Sequence, residues 1–361
     1  MFPQSYLEIS RADLRYNAQA VINAVGCPVI GVVKCDGYGV SIAEAAAAWK
    51  SCGVTMFAVS DPEEALRLRA CGYVQEDILL MAPVADAFIL DKMLENNIIL
   101  TVTGSVQASF YRQAGREAPV RVHVAVDTGM GRFGVRWNCF PELEEIYSQT
   151  HLRIEGIFSH FSASFEKRYA RTRQQLEKFL SAVDYLKKAG CDVGMRHIAN
   201  SCAALRFPET RLDAVRIGSA LVGRLCAPVP VSLKPIGVVH AMVVDRRTLL
   251  KGDRTGYASV CKIKRNMDVA IVSLGSQCGF GLEKHADGFR HLEVLRAAVR
   301  MLRDYRQNAF VEWSGQRLSV IGRYGTQYTL VCAEGTKLQP GEYVTCRAIR
   351  LCFPVDNRKY V

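Results

Sequence analysis

No run of about 18 uncharged apolar residues occurs anywhere in the chain, so no helix is expected to span a bilayer. The opening stretch, MFPQSYLEISRADLRYN, lacks the basic start, apolar core and small-residue cleavage site of an export signal. A cytoplasmic, full-length protein with no membrane partner is therefore predicted. Cysteine is plentiful, at 13 residues, but no Cys-x-x-Cys pair is present. Scattered thiols in a large signal-less chain point to reduced structural cysteines, and no metal site is expected. Low-complexity segments are missing as well. The formal net charge of +11 is spread along the chain with only short clusters such as KIKR, and no nucleic-acid motif accompanies it. No nucleic-acid partner is expected, and a basic surface that attracts small anions fits the same charge.

What is present is the material for a large core. Of 361 residues, 49% are hydrophobic, enough for one large domain and a smaller one. Short apolar runs recur at 28–33, 54–59, 77–82, 97–102, 120–126, 153–158, 193–198 and 213–217, with helical patterns between them. Continuous β-branched runs are the mark of parallel strands buried on both faces. Helix-start chemistry fills the gaps. Ser41 with Glu44 has capping-box spacing, and Asp61-Pro62 followed by Glu64 sets a cap, a first-turn proline and a carboxylate in order. Eight strands each followed by a helix predict a (β/α)8 TIM barrel, with an open doubly wound sheet as the alternative.

Beyond about residue 235 the pattern changes to short strands separated by turn signals such as GDRTG and QPGE. The sequence thus predicts a barrel domain over 1–235 and an all-β C-terminal domain over 236–361, with 1–9 assigned as a candidate partner of the second. Within the latter, 285–308 has apolar residues at helical spacing and reads as an inserted amphipathic helix.

Placed on this map, the reactive side chains converge. Lys34 ends the first strand; Asp127, Thr128 and Arg132 follow the fifth; His160 follows the sixth. His197, Asn200 and Ser201 close the seventh, and Arg216 and Gly218 close the eighth. In a parallel barrel all these positions open onto the C-terminal face, where barrel enzymes place their sites. An amine at the edge of an apolar pocket suits a Schiff base, because desolvation favours its neutral form. Ser201 and the backbone N–H groups near Gly218 are candidates for holding a phosphate. A lysine Schiff base with a phosphate cradle opposite describes pyridoxal 5'-phosphate. Arg216 would then face the pyridine nitrogen, where a cation disfavours protonation of the ring. Taken singly, each residue has a plainer explanation: a solvated strand-end lysine, hydrogen-bonded histidines, a surface arginine, a helix cap at Asn200-Ser201.

These segments resemble the fold-type III, pyridoxal-phosphate-dependent alanine racemases. LEISRADLRYN, VVKCDGYG, VDTGMGRFG, EGIFSHF, HIANSCAAL, VRIGSALVG, TGYASV and SVIGR carry the likeness over nearly the whole chain. The resemblance implies a homodimer with shared active sites, an amino-acid substrate, alanine first, and a role in supplying D-alanine for cell-wall peptidoglycan. It implies Lys34 as cofactor anchor and one base, with Tyr257 of the partner subunit as the opposite base. Tyr38, Asn200, Ser201, Gly218 and Ser219 would hold the phosphate, with Tyr360 near it. Arg132 would meet the phenolic oxygen and, with Thr326, the substrate. Arg216, steadied by His197, would face the ring nitrogen, and His160 would lie beside Tyr257.

Several positions depart from the family pattern. A lysine expected two residues before Asp127 is Ala125, and the usual Cys-Met-Asp run is replaced within Tyr324-Gly325-Thr326-Gln327. Ser276 stands where an entrance tyrosine is expected, and an acidic entrance residue is replaced near Phe165. These changes leave racemisation of serine or a larger amino acid as an alternative. A fold-type III decarboxylase and a non-catalytic cofactor-binding protein rank below it.

Overall fold

A computed structural model describes residues 4–112, 118–281, 294–295, 298–299, 309–347, 353 and 355–361. The segment 285–308, where the sequence predicts an inserted helix, lies outside these residues apart from 294–295 and 298–299. The chain divides into two compact units, Arg11–Ile236 and a second formed by Met1–Ser10 with Gly237–Val361.

Among the described residues of the first unit eight barrel strands run parallel, beside a short extra strand at Val135–Arg136: β1 (Val29–Val32), β2 (Met56–Val59), β3 (Asp77–Leu80), β4 (Leu100–Val102), β5 (Val120–Asp127), β6 (Leu152–Phe158), β7 (Met195–His197) and β8 (Val215–Ile217). Pairing runs from β8 through β1 and β2 to β3, and from β4 through β5 and β6 to β7. A parallel bridge between Leu79 and Ile99 joins β3 to β4. Arg216 N donates to Ala199 O at 3.0 Å and Asp213 N to Arg196 O at 3.1 Å, which closes the circle between β7 and β8. The closed barrel, not the open sheet, is the architecture.

Helix α1 (Arg11–Val25) precedes β1, and α2 (Ile42–Lys50), α3 (Pro62–Ala70), α4 (Ala87–Glu95), α5 (Ser105–Arg112), α6 (Phe140–Tyr147), α7 (Ala170–Lys188) and α8 (Ser201–Arg206) lie between the strands. Alternating strand residues fill the interior: Ile30, Val32, Met56, Ala58, Leu79 and Ile99 form one cluster, with Tyr38 and Met195 packed on its rim. Burial of each large apolar side chain contributes roughly 1.5–3 kcal/mol, so the barrel is a packed core and only its mouth is available for chemistry. Polar side chains interrupt this interior, His123, His197 and Arg216 among them. His123 on β5 is 2% exposed, and β6 makes room for it with Gly156, where a Cβ would fall 2.7 Å from the imidazole.

Directly after Lys34 the chain makes a left-handed turn. Cys35, Asp36, Gly37 and Tyr38 have φ of 54°, 51°, 63° and 57°, and three of the four carry side chains. Each such non-glycine residue costs about 1–2 kcal/mol, so the turn has to be held from outside. Asp36 Oδ1 accepts from Ile42 N at 3.0 Å and from Arg67 Nη2 at 2.9 Å. The Glu64 carboxylate accepts from Asp36 N at 3.2 Å and Ser60 N at 3.4 Å. Two sequence expectations change here. Ser41 does precede α2, but its side chain caps nothing; Asp36 supplies the cap, and Glu44 pairs with Arg11 at 2.7 Å instead. Asp61 does cap α3 by accepting from Glu63 N, whereas Glu64 braces the turn.

In the second unit the strand Ser5–Ile9 pairs antiparallel with Val238–Leu249 and parallel with Arg358–Tyr360. Val238–Leu249 also pairs with Tyr343–Cys346 and, past a bulge between Val243 and Asp245, with Met267–Val272. Among the described residues no helix is long and apolar enough to cross a membrane, and none of the described cysteines is in a disulfide.

Candidate active site

The barrel mouth holds a cavity of about 580 Å³ lined by strand ends and the loops that follow them. Lys34, Tyr38, Arg132, His160, Asn200, Ser201, Arg216, Gly218 and Ser219 all reach its wall. His197 lies behind them, fully buried. Tyr257, Thr326 and Tyr360 belong to the second unit: Tyr257 opens a short turn in which Gly256 and Ala258 have φ of 81° and 58°, Thr326 is exposed, and Tyr360 is on the strand beside Ile9.

The left-handed turn folds Tyr38 back towards β8. A Cβ on Gly218 would fall 2.4 Å from the Tyr38 hydroxyl, so only glycine lets the phenol lie across that turn. Close by, the N–H groups of Gly218 and Ala220 both point at Ser201 Oγ at 3.4 Å. A normal N–H···O bond is about 2.7–3.2 Å, so these amides are under-satisfied and suit an added anionic oxygen. Gly218→Ala is expected to lower the affinity for pyridoxal phosphate at least about tenfold, as measured by titrating the stripped protein with cofactor. Unchanged affinity would remove the Tyr38–Gly218 edge from the cradle.

Arg216, 4% exposed, is fixed along one edge. Its Nη1 donates to His197 Nδ1 at 2.6 Å and His197 O at 3.0 Å, and its Nη2 donates to Ser159 O at 2.6 Å while facing His160 Nδ1 at 3.3 Å. A guanidinium only donates, so His197 Nδ1 accepts and Nε2 carries the proton, which it gives to His123 Nδ1 at 2.8 Å. A directed line, Arg216 to His197 to His123, runs from the mouth into the barrel. Burial, then the neighbouring Arg132, lowers Arg216 to about 9, which leaves it charged at neutral pH. Burial and the same guanidinium push His123 and His160 down to about 3 and His197 well below its ordinary value.

These shifts make stability depend on pH. Below about 6.5 the unfolded chain protonates His123 and His197, while the fold keeps them neutral. Stability present above pH 6.5 is therefore lost as pH falls towards 3, with a slope of up to about 1.4 kcal/mol per pH unit for each histidine. Urea unfolding at pH 7.5 and 5.5 is expected to show a lower midpoint at pH 5.5. Equal midpoints would mean that both rings protonate inside the fold.

Arg132 enters the cavity from the loop after β5. Asp127 Oδ1 accepts from the N–H groups of Gly129, Met130 and Gly131 at 2.8, 2.9 and 3.1 Å, which shapes that loop. Asp127 is the one carboxylate lining the cavity among the described residues, and its Oδ1 is taken by these amides. Lys34, Arg132 and Arg216 therefore make the mouth strongly cationic. Ala125 is buried at the position where the family resemblance places a lysine. Asn200 lines the wall with its amide engaged: Oδ1 accepts from Ala203 N at 3.1 Å and Ser164 Oγ at 2.8 Å, and Nδ2 donates to Phe161 O at 3.3 Å. It is a helix cap as well as a wall residue.

Sequence reasoning passed over His123, Ser159 and Gln175. His123 looks like a strand residue in VRVHVAV. Gln175 sits on the core-facing stripe of α7 with Thr172, Phe179 and Ala182. A polar side chain at such a position was the available signal.

As a set, an amine, two guanidiniums and an under-satisfied hydroxyl–amide turn around one cavity fit an aldehyde cofactor bearing a phosphate. Residues 9–225 match the family described as alanine racemase, N-terminal domain. The chain is 31% identical over 297 residues to an alanine racemase of Listeria monocytogenes, covering 80% of this chain and 78% of that protein. It is 30% identical over 284 residues to an amino-acid racemase of Enterococcus faecalis, spanning 76% of this chain but only 40% of that protein's length. The fold is similar to that of alanine racemase from Clostridium difficile, with a TM-score of 0.86 at 22% identity over 99% of this chain and 95% of that one. It is also similar to the alanine racemase of Bacillus anthracis with bound L-Ala-P, at a TM-score of 0.84 and 23% identity over 100% and 96%.

Proposed function

The chain belongs to the alanine racemase family of pyridoxal-phosphate-dependent isomerases, and from that premise we propose that it interconverts L- and D-alanine. The observation that carries this reading is the single cavity where Lys34 shares a wall with buried Arg216 and the Ser201–Gly218 turn. Pyridoxal phosphate, when bound, withdraws electrons from the α-carbon and so acidifies its proton.

This chain's own residues do the rest. Lys34 anchors the cofactor through its amine and moves a proton on one face of the α-carbon. Tyr257 of the partner subunit moves a proton on the other, because racemisation requires donor and acceptor on opposite faces. That requirement is the reason to propose a homodimer. Ser201, Gly218, Ser219 and Tyr38, with Tyr360, bind the phosphate, and Asn200 braces the turn. Arg216 presents a permanent donor to the ring nitrogen and keeps it unprotonated, with its direction fixed by His197. Arg132 orients the phenolic oxygen and, with Thr326, the substrate carboxylate. His160, held neutral with Nδ1 turned to Arg216 Nη2, lies beside the incoming tyrosine. A cytoplasmic enzyme supplying D-alanine for peptidoglycan completes the proposal.

The test is α-proton exchange in deuterium oxide over a panel of L- and D-amino acids. Alanine is expected to exchange fastest. Exchange with none of them would sink the reading, faster exchange of serine or a larger amino acid would reassign the substrate, and release of carbon dioxide would make the protein a decarboxylase.

A further inference from the structure

Behind the cavity wall, α7 sends one amide between two of the loops that carry site residues. Gln175 is 4% exposed, and its four hydrogen-bonding positions are filled. Oε1 accepts from Ser162 N and from Ser162 Oγ, both at 3.0 Å. Nε2 donates to Thr128 Oγ1 and to His160 O, both at 3.2 Å. A backbone N–H can only donate, so the contact with Ser162 N fixes which end of the amide is oxygen. Thr128 Oγ1 also lies 2.9 Å from Ser159 Oγ, and either hydroxyl can be the donor. The loop after β5 and the loop after β6 are thereby joined through one buried side chain. The first leads from Asp127 to Arg132; the second carries Ser159, whose carbonyl holds Arg216, and His160.

We propose that Gln175 is a positioning residue, which sets the distance between the Arg132 loop and the His160 loop and so aligns the groups that surround the reacting atoms. Its meaning for catalysis rests on the racemase reading; the tie itself does not. A long polar side chain on the buried stripe of a helix is costly unless it is satisfied, and here it is satisfied only by the two loops. A displacement of about 1 Å in such groups can slow a reaction on the order of 100-fold.

The holoenzyme variants Gln175→Leu and Gln175→Glu test this. The glutamate keeps the length and the acceptor for Ser162 N but loses both donations, and it guards against failure of the leucine variant to fold. Backbone amide exchange is expected to accelerate at least about tenfold in peptides covering 128–133 and 159–163, with β5 and β6 unchanged. kcat for alanine should fall at least about tenfold while KM and cofactor occupancy stay within about threefold. Acceleration across the strands in step with a lower Tm would overturn the proposal, since Gln175 would then be a general core residue. So would slow loops and a kcat like that of the unmodified protein. Loosened loops in a protein that exchanges no α-proton even when unmodified would retain the tie and sink the racemase reading instead.

Discussion

Lys34→Ala is expected to abolish α-proton exchange of both alanine enantiomers, with turnover lowered at least about 10⁴-fold, the scale of losing a covalent nucleophile. The absorbance of lysine-linked cofactor should vanish, and the cofactor should become removable by dialysis. The fold should not suffer. Among the described residues Lys34 shares the mouth with Arg132 and Arg216 and with one carboxylate, Asp127, whose Oδ1 is bound by loop amides, so truncation removes net cationic repulsion. A Tm equal to or above that of the unmodified protein stripped of cofactor is the expected companion result, the loaded protein being further stabilised by its ligand. His160 gives an internal check, since Lys34 is one of the charges that depress it, after burial, Arg216 and Arg132. Its titration should move upward in the variant. Retained exchange would show that another group anchors the cofactor.

Tyr257→Phe should separate the two faces of the reaction. Exchange from L-alanine is expected to fall at least about 10²-fold while exchange from D-alanine, which on the proposed roles Lys34 sustains alone, persists, and the lysine-linked absorbance stays. Net racemisation should fall equally in both directions. Mixing this variant with Lys34→Ala then tests the shared site. In a mixed dimer one site carries both defects and the other neither, so a one-to-one exchange of subunits should restore roughly a quarter of full activity. No recovery after confirmed subunit exchange would place both groups in one chain. Exchange from both enantiomers falling together with the lysine-linked absorbance would make Tyr257 a cofactor ligand instead of a base.

The barrel was legible because its signal is simple. PVIGVV, VRVHVAV and RIEGIF read as buried strands, and their ends marked the mouth without reference to packing. Closure was not legible, since it depends on hydrogen bonds between β7 and β8 that no single run encodes. The turn after Lys34 was not legible either. Nothing in KCDGYG demands that cysteine, aspartate and tyrosine adopt positive φ. That conformation is imposed by Glu64 and Arg67, some 30 residues away. The capping expectation at Ser41 failed for the same reason: a local pattern lost to a tertiary partner. The role of Arg216 was suggested by position and those of Arg132, His160 and His197 by the family resemblance, but the directed line to His123 and the Gln175 tie require distances. Two residues that looked like strand and helix interior turned out to support the wall of the cavity.

The sheet that joins residues 5–9 to residues 238–249 and 358–360 also has a consequence in time. The barrel is contiguous from 11 to 236 and can be complete while the ribosome is still adding the remainder. Residues 5–9, although made before the barrel, must wait for partners made after it. Until then they present an unpaired strand edge bearing Leu7 and Ile9, both fully buried once the sheet is formed. Slow synthesis past residue 236 therefore prolongs the life of a sticky early segment, and the window in which new chains associate wrongly is set far downstream of the residues that cause it.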